Sequence, residues 1–101
     1  MLSHVFELYS SKGESLIDIG INEAVLPIEY IKKALDLFFE NNLLVLGGDL
    51  YIKNSLGCFE NFYADWFYDG SDCFESVEKA KGYLDRFKSE RVYVSFIVKL
   101  I

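Results

Sequence analysis

Residues Leu46 to Gly70 read LGGDLYIKNSLGCFENFYADWFYDG, and the way this stretch folds decides the architecture of the chain. Runs rich in branched and aromatic residues, LLVLGGDLYIK and NFYADWFYD, flank the connection NSLGCFEN, which is the composition of two strands and a loop. The spacing predicts a hairpin with a long connection. Glycines inside a strand let the backbone bend or let another element approach closely, so Gly47 and Gly48 mark a bulge or bend. A phosphate cradle needs a glycine-rich turn that leads into a helix, and here a strand follows. No GK[ST] is present, and Asp49 puts negative charge where a phosphate would sit.

Working outward, Pro27 is placed as a helix start, followed by an apolar stripe of Ile28, Ile31, Leu35 and Phe38 and an end at Asn41 and Asn42. Downstream, Asp72 and Glu75 have capping-box spacing: the first carboxylate takes a free amide of the first turn and the second reaches back to the cap. The helix that follows runs to Lys88, with Phe74, Val77, Ala80, Leu84 and Phe87 as its buried stripe. RVYVSFIVKLI then alternates as a strand, with Val92, Val94, Phe96, Val98 and Leu100 on one face. Upstream, Ser3 caps a short helix carrying Val5, Phe6, Leu8 and Tyr9, and Gly13 stops it. SLIDIGINEAVL has no clean period and reads as an extended arm or irregular turn.

The element order is helix, helix, strand, strand, helix, strand. It predicts an α+β domain over residues 1–101, with a small three-stranded mixed or antiparallel sheet and helices packed on one face. The last strand is expected beside the first, antiparallel to it and parallel to the second.

A chain of 101 residues with a formal charge of −6 carries a negative field that repels nucleic acid and anionic lipid and attracts basic proteins. Neither nucleic acid nor membrane is therefore an expected partner, and no apolar run approaches the roughly 20 residues of a spanning helix. The start MLSHVFELYSS has neither a basic head nor a long apolar run, so a cytoplasmic location with free thiols at Cys58 and Cys73 is expected. Those cysteines match no zinc pattern, and His4 cannot complete a ligand set with them. Asp49, Glu60, Asp65, Asp69 and Asp72 lie close in sequence, but DGSD lacks the repeat of a calcium loop and reads as a turn and helix cap. No serine or cysteine sits in a nucleophile motif. No metal, cofactor or catalytic residue is expected.

Side chains alternate along a strand, so Phe62, Ala64, Trp66 and Tyr68 share one face and Tyr63, Asp65, Phe67 and Asp69 the other. An unpaired buried carboxylate costs several kcal/mol, so the acid-bearing face points outward. The same rule turns Asp49, Tyr51 and Lys53 outward on the first strand and Tyr93, Ser95, Ile97 and Lys99 outward on the last. A face mixing aromatics with acids is suited to binding another protein.

VLGGDLY at 45–51, ADWFY around Trp66 and the helix ESVEKAKGYLDRF before a terminal strand resemble a small immunity-protein family of bacterial polymorphic-toxin and contact-dependent growth inhibition systems, over residues 16–100. The resemblance implies a non-enzymatic protein that stays in the producing cell's cytoplasm, binds a cognate toxin domain and masks its active site. With many such toxins being basic nucleases, Asp49, Asp65 and Asp69 are expected to steer the partner and Tyr51, Tyr63 and Phe67 to anchor it. The alternative is an acidic binding or regulatory module for some other basic protein.

Overall fold

The computed structural model describes residues 2–101. The hairpin is formed by β3 (Leu43–Lys53) and β4 (Phe59–Phe67), closed by a turn in which the Asn54 carboxamide oxygen accepts from the amides of Leu56 and Cys58 at 2.9 and 3.0 Å. β3 is the spine of the sheet, with β4 on one side and β5 (Tyr93–Leu100) on the other, both antiparallel to it. The last strand therefore lies beside the first of the hairpin, in the expected direction.

The α+β class is as the sequence predicts, but the sheet has five strands, not three. β1 (Glu14–Ser15) and β2 (Ala24–Pro27) come from the segment without a period, and the strand order is β1-β2-β5-β3-β4. Both strands are too short for alternation to declare itself. Pro27 ends β2 instead of starting a helix. It pairs with Tyr93 in an extended conformation, and a 3-10 turn at Ile28–Tyr30 precedes α2 (Ile31–Glu40).

α1 (Leu2–Lys12), α2 and α3 (Cys73–Leu84) cover one side of the sheet. Val5 and Leu8 of α1, Leu35 and Phe38 of α2, and Val77, Ala80 and Leu84 of α3 close over Val45, Leu50, Trp66, Val92 and Val94. Val45 and Leu50 have opposite parity in sequence, yet both face this core. The register shift between Val45 and Gly47 makes that possible, because a bulge resets the alternation. Gly47 has φ +151, and a Cβ there would collide with the Trp66 carbonyl. At Gly48 a Cβ would strike the Ser95 carbonyl and come within 2.8 Å of Trp66 Cη2. The double glycine is thus the space into which the Trp66 ring and both neighbouring backbones fit.

α3 begins at the expected cap, with the Glu75 amide donating to the Asp72 carboxylate at 2.9 Å. The return half of the capping box is rerouted. The Tyr68 hydroxyl accepts from the Asp72 amide at 3.2 Å and donates to the Glu75 carboxylate at 2.8 Å, standing between the two residues. α3 ends at Leu84, and a 3-10 turn at Asp85–Phe87 carries the chain to the expected stop. Phe74 is exposed, packed edge-on against Phe39 on the surface, and Ser76 takes the buried position beside Val77. The Ser76 hydroxyl accepts from the Val45 amide at 3.0 Å, tying α3 to the strand at its bulge. Val92, just before β5, and Val94 and Phe96 on it pack in or against the core, but Val98 and Leu100 run out past the helical cover and are exposed.

Candidate partner-binding face

The side of the sheet away from the helices is divided in two. One half is covered by the segment around β1 and β2, where Leu16 and Val25 bury themselves against Tyr51, with Ile21, Phe59 and Tyr93 packed around them. Gly20 (φ +80) turns the segment back, and the Leu16 amide donates to the Glu23 carbonyl at 2.9 Å. Lys53 fastens the edge of this cover, 2.7 Å from the Glu14 carboxylate and above the rings of Phe59 and Tyr93. Tyr51 is on the expected face, but only 4% of it is exposed, so it is a packing residue and not an exposed anchor. Periodicity could not reveal this, because the residues that cover Tyr51 lie about thirty positions upstream in an irregular segment.

The other half is open. Asp49 stands between Ser95 of β5 and Asp65 of β4 as cross-strand partner of both. One row along, Gly47 stands between Ile97 and Phe67. Because Gly47 has no side chain, the sheet is dimpled there, with about 210 Å³ bounded by Asp49, Asp65, Phe67 and Ile97. Phe67 is 71% exposed, with the Lys79 ammonium 5.4 Å from its ring centroid. Tyr63 is 93% exposed and sits on a second irregularity, where β4 shifts register between its pairings with Asp49 and Tyr51. Its φ of +58 is unusual for a residue with a side chain, and its amide donates to the Asn61 carboxamide at 2.6 Å. Asp69 is exposed past the end of β4, beyond the row formed by the other acids.

Glu23 joins this half from the covering segment. Its carboxylate accepts from the Ser95 hydroxyl at 2.5 Å. Burial first, then the charges of Asp65 and Glu23, push the Asp49 carboxyl above its ordinary value. Burial followed by Asp49 and Glu23 likewise raises the Tyr51 phenol. Among the described residues, the ion pairs join Lys53 to Glu14, Lys81 to Asp36 and Glu78, and Lys88 to Asp85, so none neutralises Glu23, Asp49 or Asp65. Nor do three His, Cys, Asp or Glu side chains group as a metal-holding set among the described residues. Cys58 is exposed, Cys73 half-buried, and both are free. The face can offer negative charge flanked by bare aromatic surface.

Of the six residues the sequence singled out, Asp49, Asp65, Phe67 and Tyr63 gather on or beside the open half, Asp69 lies past its end, and Tyr51 is under the cover. Sequence reasoning missed Glu23, which sits in the unassigned segment, and put Ile97 on this face without assigning it to the site.

Such a face, on an acidic α+β scaffold, has the mixture of aromatics and charge common where proteins bind other proteins. The family described as Immunity protein 40 matches residues 15–98, most of the chain, and the protein belongs to that family. Membership indicates a toxin-neutralising immunity function and a cognate toxin protein as partner. No curated protein and no solved structure matches the chain. No helix among the described residues is long and apolar enough to cross a membrane.

Proposed function

We propose that the protein neutralises a basic nuclease toxin of a polymorphic-toxin or contact-dependent inhibition system. It does so in the cytoplasm of the producing cell, by docking the open half of its sheet over the toxin's active site and without catalysis of its own. The observation that carries this reading is the opposition of Asp49 and Asp65 on neighbouring strands, with Glu23 close by. Like charges directly across a sheet disfavour the folded state, and a lysine or arginine from a basic partner would relieve them. Tyr63 and Phe67 supply exposed aromatic area on the flank, of the kind that dominates binding energy at protein interfaces. Asp69 adds to the steering field at longer range.

The test is co-expression with the toxin domain encoded beside this protein, followed by measurement of affinity at several salt concentrations. Asp49→Lys with Asp65→Lys is expected to abolish tight binding and flatten its salt dependence. Wild-type affinity in that variant would overturn the assignment of the face. No binding by the wild-type protein would overturn the pairing itself.

A further inference from the structure

β5 has a partner along only part of its second edge. β2 pairs with it at Pro27–Tyr93 and Leu26–Val94, and among the described residues nothing pairs with that edge from Phe96 onward. The backbone polarity follows from two bonds. The Ile28 amide donates to the Val92 carbonyl on the β2 side, at 3.0 Å, and the Ile101 amide donates to the Asn42 carbonyl on the β3 side, at 3.2 Å. Successive residues of a strand aim their amides and carbonyls at alternate edges, so those of Phe96, Val98 and Leu100 face the unpaired side. Their side chains are apolar, with Val98 38% and Leu100 61% exposed. Alongside runs a groove of about 610 Å³, walled by Val5 and Phe6 of α1 and floored by Phe38, Phe96 and Val98. An edge of this length and composition recruits another strand unless something blunts it; Lys99 is the one charge in the strand from Phe96 to Leu100, and Glu23 lines the groove beside it.

We propose that this edge is a dimer interface, formed by two copies of the protein pairing β5 against β5 in antiparallel fashion about a twofold axis at Val98. The sequence FIVKL is self-complementary in that register. Val98 meets Val98 of the second copy, Phe96 meets Leu100, and Leu100 meets Phe96, so the groove side of the junction is apolar throughout. On the opposite side Lys99 lies across from Ile97 of the second copy, and the two lysines are not directly opposed. Lys99 has two diagonal neighbours on the second copy, Lys99 and Ser95, and the like charge of the first turns it toward the second, the residue whose hydroxyl holds Glu23. A long side chain spans that diagonal, so each junction gains two symmetric Lys99–Glu23 ion pairs. The two sheets become one of ten strands. This inference does not rest on the immunity reading: it takes up Glu23 and Ile97 at the margin of the open half and leaves Asp49 and Asp65 of each sheet uncovered.

Sedimentation equilibrium of the full chain over a wide concentration range tests it. The expected mass is twice 11.7 kDa. Val98→Lys sets two ammonium groups face to face on the axis and is expected to weaken dimerisation more than tenfold, with the circular dichroism unchanged. A second variant keeps the register testable: Val98→Cys, in a Cys58→Ser, Cys73→Ser background, is expected to oxidise to a covalent dimer. Directly paired Cα atoms lie about 5.5 Å apart, within disulfide range. Leu100→Cys in the same background, four residues off its own copy, should not cross-link. A folded wild-type monomer at every concentration overturns the proposal, as does a dimer that survives Val98→Lys. A monomer whose toxin binding is lost on Val98→Lys also overturns it, and assigns the edge to the toxin instead.

Discussion

Asp49 and Asp65 are direct cross-strand partners on the uncovered half of the sheet, and neither is paired with a cation among the described residues. Burial and the neighbouring acids raise the Asp49 carboxyl, so the folded protein holds that proton more tightly than the unfolded chain. Ionised Asp49 therefore costs stability above its folded pKa, and the cost vanishes as pH falls below the ordinary carboxylate value. Asp49→Asn is expected to stabilise the protein at pH 7 by about 0.2–1 kcal/mol, the range for cross-strand pairs. The gain should disappear near pH 3. Urea melts at the two pH values check it, and a loss of stability at pH 7 would contradict it.

The same substitution is expected to weaken the toxin complex, since removing a rim charge lowers the association rate and its sensitivity to salt. Stopped-flow association with the cognate toxin, at low and high ionic strength, reads this directly. An unchanged rate at low salt would remove Asp49 from the interface.

Tyr51 and Tyr63 stand on neighbouring strands with opposite expected outcomes. Tyr51→Ala opens a cavity beneath Leu16 and Val25 and should cost about 3 kcal/mol. Tyr63→Gly relieves a left-handed backbone at an exposed site and should raise stability by up to about 1 kcal/mol while lowering toxin affinity. Denaturation midpoints and calorimetric titration separate the two effects.

Gly47→Ala should destabilise by at least about 2 kcal/mol, because a Cβ at φ +151 is strained and also meets the Trp66 carbonyl. Near-ultraviolet circular dichroism would report the displaced tryptophan. A neutral result would mean that the bulge can slide.

Ser76→Ala leaves the buried Val45 amide without an acceptor and should cost about 1–3 kcal/mol. Amide exchange at Val45 is the specific readout. Ser76→Thr is expected to restore part of the protection, because the hydroxyl returns.

Much of the fold was legible because its signals are local. Alternation in NFYADWFYD places Trp66 inward and Asp65 outward, and Asp72 caps α3 as the sequence spacing requires. The failures have local explanations as well. Pro27 fits the first turn of a helix and the end of a strand beyond its outer neighbour equally well, since its missing amide harms neither, and only the pairing with Tyr93 decides between them. Phe74 follows the helical stripe yet lies outside the core, against the ring of Phe39 on the surface, while Ser76 holds the buried position.

The residues by themselves determined the α+β class, the hairpin, the bend at Gly47 and Gly48, and the side of the sheet on which the acids lie. These follow from propensity, capping and strand parity, which act over a few residues. The tertiary structure decided which part of that side stays open. Leu16 and Val25 reach Tyr51 across a long stretch of chain, and Glu23 arrives beside Ser95 with them. It also decided that Asp49 meets Asp65, because that register depends on two irregularities that shift the pairing of β3 with its neighbours. Cover and register are set by contacts distant in sequence, where no local period records them.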